Sequence, residues 1–265
     1  MLAIKKRRLA CLMFLAPLLC WCGCTPPGPR ALLKGQRLIQ EGKYDQAVEP
    51  LQQATRLLPK YAQAYNHLGL ALYGSKQFDA ARLAYLKALA LDHKLAAARY
   101  NLGCLYLEQN DLPAALEQLT TYTLLQPTAA DGWVKLGSAQ LRAHKTDAAE
   151  KSFRFAFAQQ PHNPEALNGL GLVHLHRKRP LDALGSFNAA LAQNANYRPA
   201  LLNAAIIHHQ YFNNRPVALD KYRQYLALQP RPANWEMVSA IAGHLDAELN
   251  PPPAIRVRTP LRHRR

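Results

Sequence analysis

An all-α fold of stacked helical hairpins is what this sequence predicts, and three periodic observations predict it. Gly35, Gly69, Gly103, Gly137 and Gly171 follow one another at intervals of 34 residues, with Ala205 next in line. Ala47, Ala81, Ala115, Ala149 and Ala183 keep the same interval, and four residues beyond each stands a bulky side chain: Leu51, Tyr85, Leu119, Phe153 or Phe187. Pro59, Pro127 and Pro161 recur in step, with His93 where another proline would fall. A fixed period of this length is the mark of a repeat architecture.

Six units fit the period: 28–61, 62–95, 96–129, 130–163, 164–197 and 198–232, the last slipping by one residue to give Ala218, Tyr222, Tyr225 and Pro230. Each holds two apolar stretches at helical spacing, such as Tyr65, Leu68, Gly69 and Leu72 followed by Ala81, Tyr85 and Ala88. Turn and cap residues separate them: Gly42 with Asp45, Lys76 with Asp79, Asn110 with Asp111, and Lys145 with Asp147. Glycine in a helix costs about 1 kcal/mol relative to alanine, so its recurrence argues for a close helix crossing. The proline ends each second helix, because it can neither donate nor continue the turn. One hairpin cannot bury its apolar face alone, so the units stack into a right-handed superhelix with a concave inner surface. The repeats are thus expected over 31–232. Residues 233–250 read as a capping helix from Asn234 to Leu249, with Trp235, Val238, Ile241, Ala242 and Leu245 on one face. Residues 251–265 open on three prolines and continue Arg-rich, with too few apolar side chains to fold.

The pattern resembles the tetratricopeptide repeat, carried most fully by Trp133, Leu136, Gly137, Ala149, Phe153, Ala156 and Pro161. It departs at the ends, where Lys34 replaces the usual Leu and Ala205 replaces Gly, as terminal units often do. The resemblance implies a right-handed α-solenoid of six hairpins with a C-terminal capping helix, and a protein-binding groove lined by the first helix of each unit. Carried onto this chain, the groove residues are Asn66, Leu70, Tyr73, Asn101, Leu107, Leu141, Asn168, Leu172, Leu175 and Asn203, with Cys104, Ser138, Ile206 and His209 on the same face. That groove is aliphatic with a broken row of asparagines, so the expected ligand is an apolar peptide whose backbone the asparagines bind. The basic clamp for C-terminal carboxylates is absent, Lys135 being the one base near those positions.

Charge and cysteine crowd the ends. The chain carries 33 Lys and Arg against 17 Asp and Glu, a formal net charge of +16. Residues 1–30 and 251–265 hold much of the excess and no acid, so the body is mildly basic; charge at that density reads as solvated helix face, and nucleic acid is not the expected partner. Lys5 to Arg8, an apolar run from Leu9 to Trp21, and Gly23 before Cys24 have the three parts of a secretory signal over 1–24. The apolar run is shorter than the roughly 20 residues a membrane span needs. Its end resembles the lipobox of bacterial lipoproteins, which implies a diacylglycerol on Cys24 followed by a Pro-rich tether over 25–30. Trp21 departs from the usual Leu, leaving ordinary cleavage or an uncleaved inner-membrane signal anchor as alternatives. In lipoproteins of this class an Asp after the Cys favours inner-membrane retention, so with Thr25 in that place the resemblance implies the outer membrane, with the body on the periplasmic side.

No phosphate loop, HExxH or nucleophile elbow occurs, so neither an enzyme nor a cofactor is expected. The Cys20, Cys22, Cys24 run lacks a further ligand nearby, and His174, His176, His208 and His209 lack a carboxylate or Cys at ligand spacing, so no metal site is expected. Cys104 reads as a small buried hydrophobe. The expected function is a non-catalytic, lipid-anchored adaptor that binds a protein or peptide segment. It resembles the pilotins of type IV pili and would assist assembly of a pilus or secretin complex. The alternative is a general scaffold for peptidoglycan or division machinery. The tail suits anionic lipid or an acidic partner.

Overall fold

The computed structural model of this 265-residue chain describes residues 26–251. The expected leader, Cys24 and the tail beyond Pro251 lie outside the described residues. Among those described, the chain forms thirteen helices and no strand: α1 (Pro27–Gln40), α2 (Tyr44–Leu57), α3 (Ala62–Gly74), α4 (Phe78–Leu91), α5 (Ala96–Glu108), α6 (Leu112–Leu125), α7 (Ala130–Arg142), α8 (Thr146–Gln159), α9 (Pro164–His176), α10 (Pro180–Gln193), α11 (Arg198–Gln210), α12 (Arg215–Leu226) and α13 (Trp235–Leu249). The first twelve pair into six hairpins, giving an all-α repeat solenoid.

The recurrent glycine sits where two helices of a hairpin cross. A Cβ added at Gly35 would lie 2.4 Å from Leu51, one at Gly69 2.6 Å from Tyr85, and one at Gly171 2.4 Å from Phe187. Each bulky partner is buried, as is the alanine four residues before it. Phe153 is enclosed twice, by Gly137 in its own hairpin and by Gly169 in the next, so one ring joins two repeats. In the sixth hairpin Ala205 and Tyr222 take these places, both buried.

The turns inside the hairpins share one conformation. Gly42, Lys76, Asn110, His144, Lys178 and Asn213 all have positive φ. The amide after each of the first five reaches back to the fifth residue before it, as in Lys43 N to Leu38 O at 2.8 Å and Gln77 N to Leu72 O at 2.9 Å. This wraps the helix end in a Schellman turn. The fourth turn thus pivots on His144 rather than Lys145, and only the first of the six uses the residue that adopts this backbone at no steric cost. The one-residue slip of the last unit is visible here, since Asn213 stands 35 residues after Lys178. Of the predicted turn acids, Asp111 caps its helix by accepting from Ala114 N at 3.2 Å. Asp45, Asp79 and Asp147 instead stand inside the first turn of their helices, where a negative charge suits the helix dipole.

The expected tether is corrected by α1, which is already helical from Pro27. Proline fits the first helical positions because its fixed φ is helical and its missing N–H has no partner there anyway. At the other end α13 lays Val238, Ala242 and Leu245 against Leu219 and Tyr222, covering the last hairpin. Arg223 to Asp246 (2.8 Å) and Arg215 to Glu248 (3.0 Å) tie it at the rim. Among the described residues no helix is long and apolar enough to cross a membrane.

Two glycines in this fold should answer oppositely to the same change. Gly171→Ala overpacks a helix crossing and should lower stability by about 1–3 kcal/mol. Gly185 in α10 has nothing within 4 Å of its would-be Cβ, so Gly185→Ala should raise stability by about 0.5–1 kcal/mol. Chemical denaturation of the two variants checks both signs.

Candidate functional site

Successive first helices touch, α1 with α3, α3 with α5, α5 with α7 and α7 with α9, whereas each second helix packs mainly against the first helices beside it. The closer row lies on the inside of the bend, so the first helices line the concave face.

A polar contact bridges every neighbouring pair in that row. Gln36 Nε2 on α1 donates to His67 Nε2 on α3 at 2.8 Å. Asn101 Nδ2 on α5 donates to Asn66 Oδ1 on α3 at 3.0 Å, and the Tyr73 hydroxyl donates to the Glu108 carboxylate. Arg142 on α7 donates to Leu107 O at 2.6 Å and to Asn110 Oδ1 at 2.7 Å. Lys135 on α7 faces Glu165 on α9 at 3.5 Å. Asn203 Nδ2 on α11 donates to Asn168 Oδ1 on α9 at 3.0 Å. The four predicted asparagines therefore form two bonded pairs, separated by Lys135 and Arg142 at the middle of the row.

Five of the ten predicted residues, Leu70, Tyr73, Leu141, Asn168 and Leu172, line two cavities. One of about 410 Å³ is lined by Lys135, Ser138, Leu141, Arg142, Glu165, Asn168, Leu172 and Tyr197, among others. The other, of about 330 Å³, is lined by Tyr44, Leu70, Tyr73, Phe78 and Glu108. Leu107 and Leu175 line neither; they pack on the cores around Leu119 and Phe187. Leu141 is 7% exposed and belongs to the core around Phe153, so its side chain touches the cavity from within the wall. Arg142 is a second base at the groove beside Lys135. Its distance in sequence from the recurrent Gly hid it, since a long side chain at the end of α7 swings back across α5. A further cavity of about 600 Å³ opens among the inter-repeat turns at Asp131, His162, Asn163 and Asn194, and adjoins the groove through Glu165 and Tyr197. Turn residues carry no periodic signal, so sequence reasoning missed it.

Burial sets the chemistry of the titratable groups. It pushes the Cys104 thiol up, against the pull of Lys135 and Tyr100, and so disfavours the reactive thiolate. It pushes Tyr73 up to about 12, with the bond to Glu108 adding to the effect. Among the described residues no three His, Cys, Asp or Glu side chains converge to hold a metal. His144 and His176 lie 6.3 Å apart, ring to ring, and His209 faces Tyr222.

His67 and His208 are both held neutral by burial, below the ordinary value of 6.5. An unfolded chain then takes up these protons first, so stability should be full above about pH 6.5 and fall as pH drops through the lower folded values. His67→Gln keeps a partner for Gln36 and removes one of the two protons. Its melting temperature should therefore decline less between pH 7 and pH 5 than that of the parent chain, conditions that bracket the usual histidine range of about 6.5.

Comparison with known proteins identifies the repeats. Four tetratricopeptide-repeat models match residues 35–76, 62–94, 84–117 and 134–199, together more than half of the chain. The Heat shock protein sti1 homolog of Schizosaccharomyces pombe is 28% identical over 120 residues, 45% of this chain and 20% of that protein. Human Protein O-mannosyl-transferase TMTC3 is 25% identical over 218 residues, 76% of this chain and 24% of that protein. Matches to the curated relatives span only 17% to 36% of their length. Among solved structures, Pseudomonas aeruginosa PilF superposes with a TM-score of 0.66 at 21% identity, over 81% of this chain and 97% of that one. YrrB, a repeat protein described as having an unusual peptide-binding site, superposes at 0.53 with 22% identity, over 73% and 97%. At these identities the structures speak to the fold alone. With its recurrent Gly, Ala and bulky positions meeting at each helix crossing, the chain belongs to the tetratricopeptide-repeat family.

Proposed function

We propose that this protein is a non-catalytic adaptor of the bacterial cell envelope, gripping an apolar peptide segment of an assembly partner in its concave groove. The observation that carries the reading is the cavity of about 410 Å³ beside the Asn168–Asn203 pair. It offers an aliphatic wall from Leu141 and Leu172 next to amide groups able to meet a peptide backbone. The lateral polar contacts along the first helices hold the groove open before any ligand arrives, which lowers the ordering cost of binding. Repeat proteins of this family mediate protein–protein interaction, and the fold is shared with PilF; the part in pilus or secretin assembly rests on the lipoprotein-like leader joined to six repeats. Anchoring rests on the sequence: acylation of Cys24, attachment to the outer membrane, and a tail that contacts anionic lipid or an acidic partner.

A photo-crosslinking residue in place of Ser138 should capture a partner polypeptide in living cells, and one in place of exposed Lys151 on α8 should not. Capture from Lys151 alone would move the partner to the convex side. Leu70 is half-buried and lines the second cavity, so Leu70→Lys should weaken capture about tenfold or more with little change in melting. Leu141→Lys, by contrast, should unfold the fourth hairpin because it buries an unpaired charge. For the anchor, intact mass of the mature protein should give a chain starting at an acylated Cys24; a chain retaining Met1 would mean an uncleaved signal anchor.

A further inference from the structure

The first helix presents a face that the other hairpins explain. In hairpins two to six, the residue two beyond the recurrent Gly or Ala is buried and apolar: Ala71, Leu105, Ala139, Val173 and Ile207. The residue five before it is buried and small: Ala64, Ala98, Gly132, Ala166 and Ala200. The residue immediately before it is also apolar: Leu68, Leu102, Leu136, Leu170 and Ala204. These positions meet the preceding hairpin; a Cβ at Gly132 would strike Tyr122, and Val173 shares a core with Phe153. In α1 no described hairpin precedes, and the same three positions are Arg37, Arg30 and Lys34, all exposed.

A terminal repeat needs a polar outer face, but any polar residues would serve. Here all three are basic and lie along one helix stripe, with Leu33 beside them at 57% exposure and no acid anywhere in α1. Glu41, just beyond the helix, pairs with Arg37 at 3.1 Å and with Lys43 at 2.8 Å. The exposed Asp45 and Glu49 belong to α2, the second helix, whose equivalents do not take part in stacking on a preceding hairpin. A second copy docked face to face would set basic stripe against basic stripe, and a further hairpin would bury three charges.

We infer that the Arg30, Lys34 and Arg37 stripe of α1 lies on the anionic headgroups of a bilayer leaflet, seating the solenoid by its N-terminal edge. The inference rests on the anchoring reading above in one respect. Cys24 stands three residues before Pro27, a covalent reach of about 10 Å at about 3.3–3.6 Å per residue. That reach matches the screening length of about 10 Å at 0.1 M salt, so an acylated Cys24 would hold α1 within the headgroup field. Leu33 adds an apolar contact of the kind found on interfacial helices. So placed, the groove projects away from the membrane with its far end open to a partner.

The test is flotation of the full chain on vesicles of phosphatidylcholine alone and with phosphatidylglycerol at roughly one part in four, the anionic component supplying the field. Both the parent chain and its Cys24→Ala form are used, with and without Arg30→Gln, Lys34→Gln and Arg37→Gln together. In the Cys24→Ala background no acyl chain contributes, and the leader and tail are the same in every comparison. A basic residue near such a surface contributes about fivefold in partitioning, so the triple change should lower binding to anionic vesicles by about a hundredfold and leave binding to neutral vesicles as it was. A matched neutralisation of Lys87, Lys94 and Lys151 on other exposed surfaces should lose far less, and circular dichroism should find all variants equally folded. Equal loss from both triples, or no loss from the α1 triple, overturns the inference, because the tail or leader then accounts for the binding. A change in oligomeric state from the α1 triple without loss of vesicle binding overturns it in favour of a second copy. If Cys24 proves unacylated while the α1 triple still abolishes anionic binding, the anchoring reading fails and the seating contact stands.

Discussion

Everything in this molecule depends on how closely the two helices of a hairpin cross. At Gly35, Gly69, Gly103, Gly137 and Gly171 the first helix has no side chain, and the bulky residue sixteen positions later fills that space. Glycine in a helix is locally costly, so the repeat accepts a local penalty for dense packing between helices. A void there would forfeit the dispersion contacts of a buried ring or isobutyl group. Because Phe153 also fills the gap at Gly169, the crossing in the fourth hairpin sets its distance to the fifth; at the other junctions buried residues of the next first helix, such as Ala71 and Leu105, carry the pitch.

The concave face follows from that pitch. Once the first helices stand in a close row, side chains at equivalent positions fall within bonding distance of one another. Polar residues there pair laterally: Gln36 with His67, Asn66 with Asn101, Arg142 with the end of α5, Lys135 with Glu165, and Asn168 with Asn203. Such exposed or half-exposed contacts contribute modestly to stability. Their larger effect is positional, since a groove held by side-chain pairs need not be ordered by its ligand. The apolar residues between the pairs are left to form the cavities around Leu70 and around Leu172.

The two ends solve the same problem in different ways. The last hairpin would expose Leu219 and Tyr222, and α13 covers them with Val238 and Leu245. The first hairpin has no such cover among the described residues and carries charge where the others carry apolar side chains. A repeat array has no intrinsic stopping point, so each end is specified separately, and burial under α13 does this for the last hairpin.

The period of 34 residues, read from the sequence, was enough to locate the hairpins and their crossing residues, because packing against a neighbour imposes the same residue at the same place every time; the apolar face of Trp235, Val238, Ile241, Ala242 and Leu245 indicated the last helix. The resemblance to tetratricopeptide repeats supplied the expected groove positions, and the bonded asparagine pairs and both cavities include residues drawn from that set. What it missed has a common cause. The helical start at Pro27 depends on backbone preorganisation by proline, and the pivot at His144 on backbone strain tolerated for the sake of the helix end. The core burial of Leu141, the reach of Arg142 across α5 and the cavity at the turns depend on which neighbour stands nearby in space. Periodicity reports what is common to all repeats, whereas exposure, side-chain reach and the fate of each end are properties of one repeat in its place, and only the tertiary structure decides those.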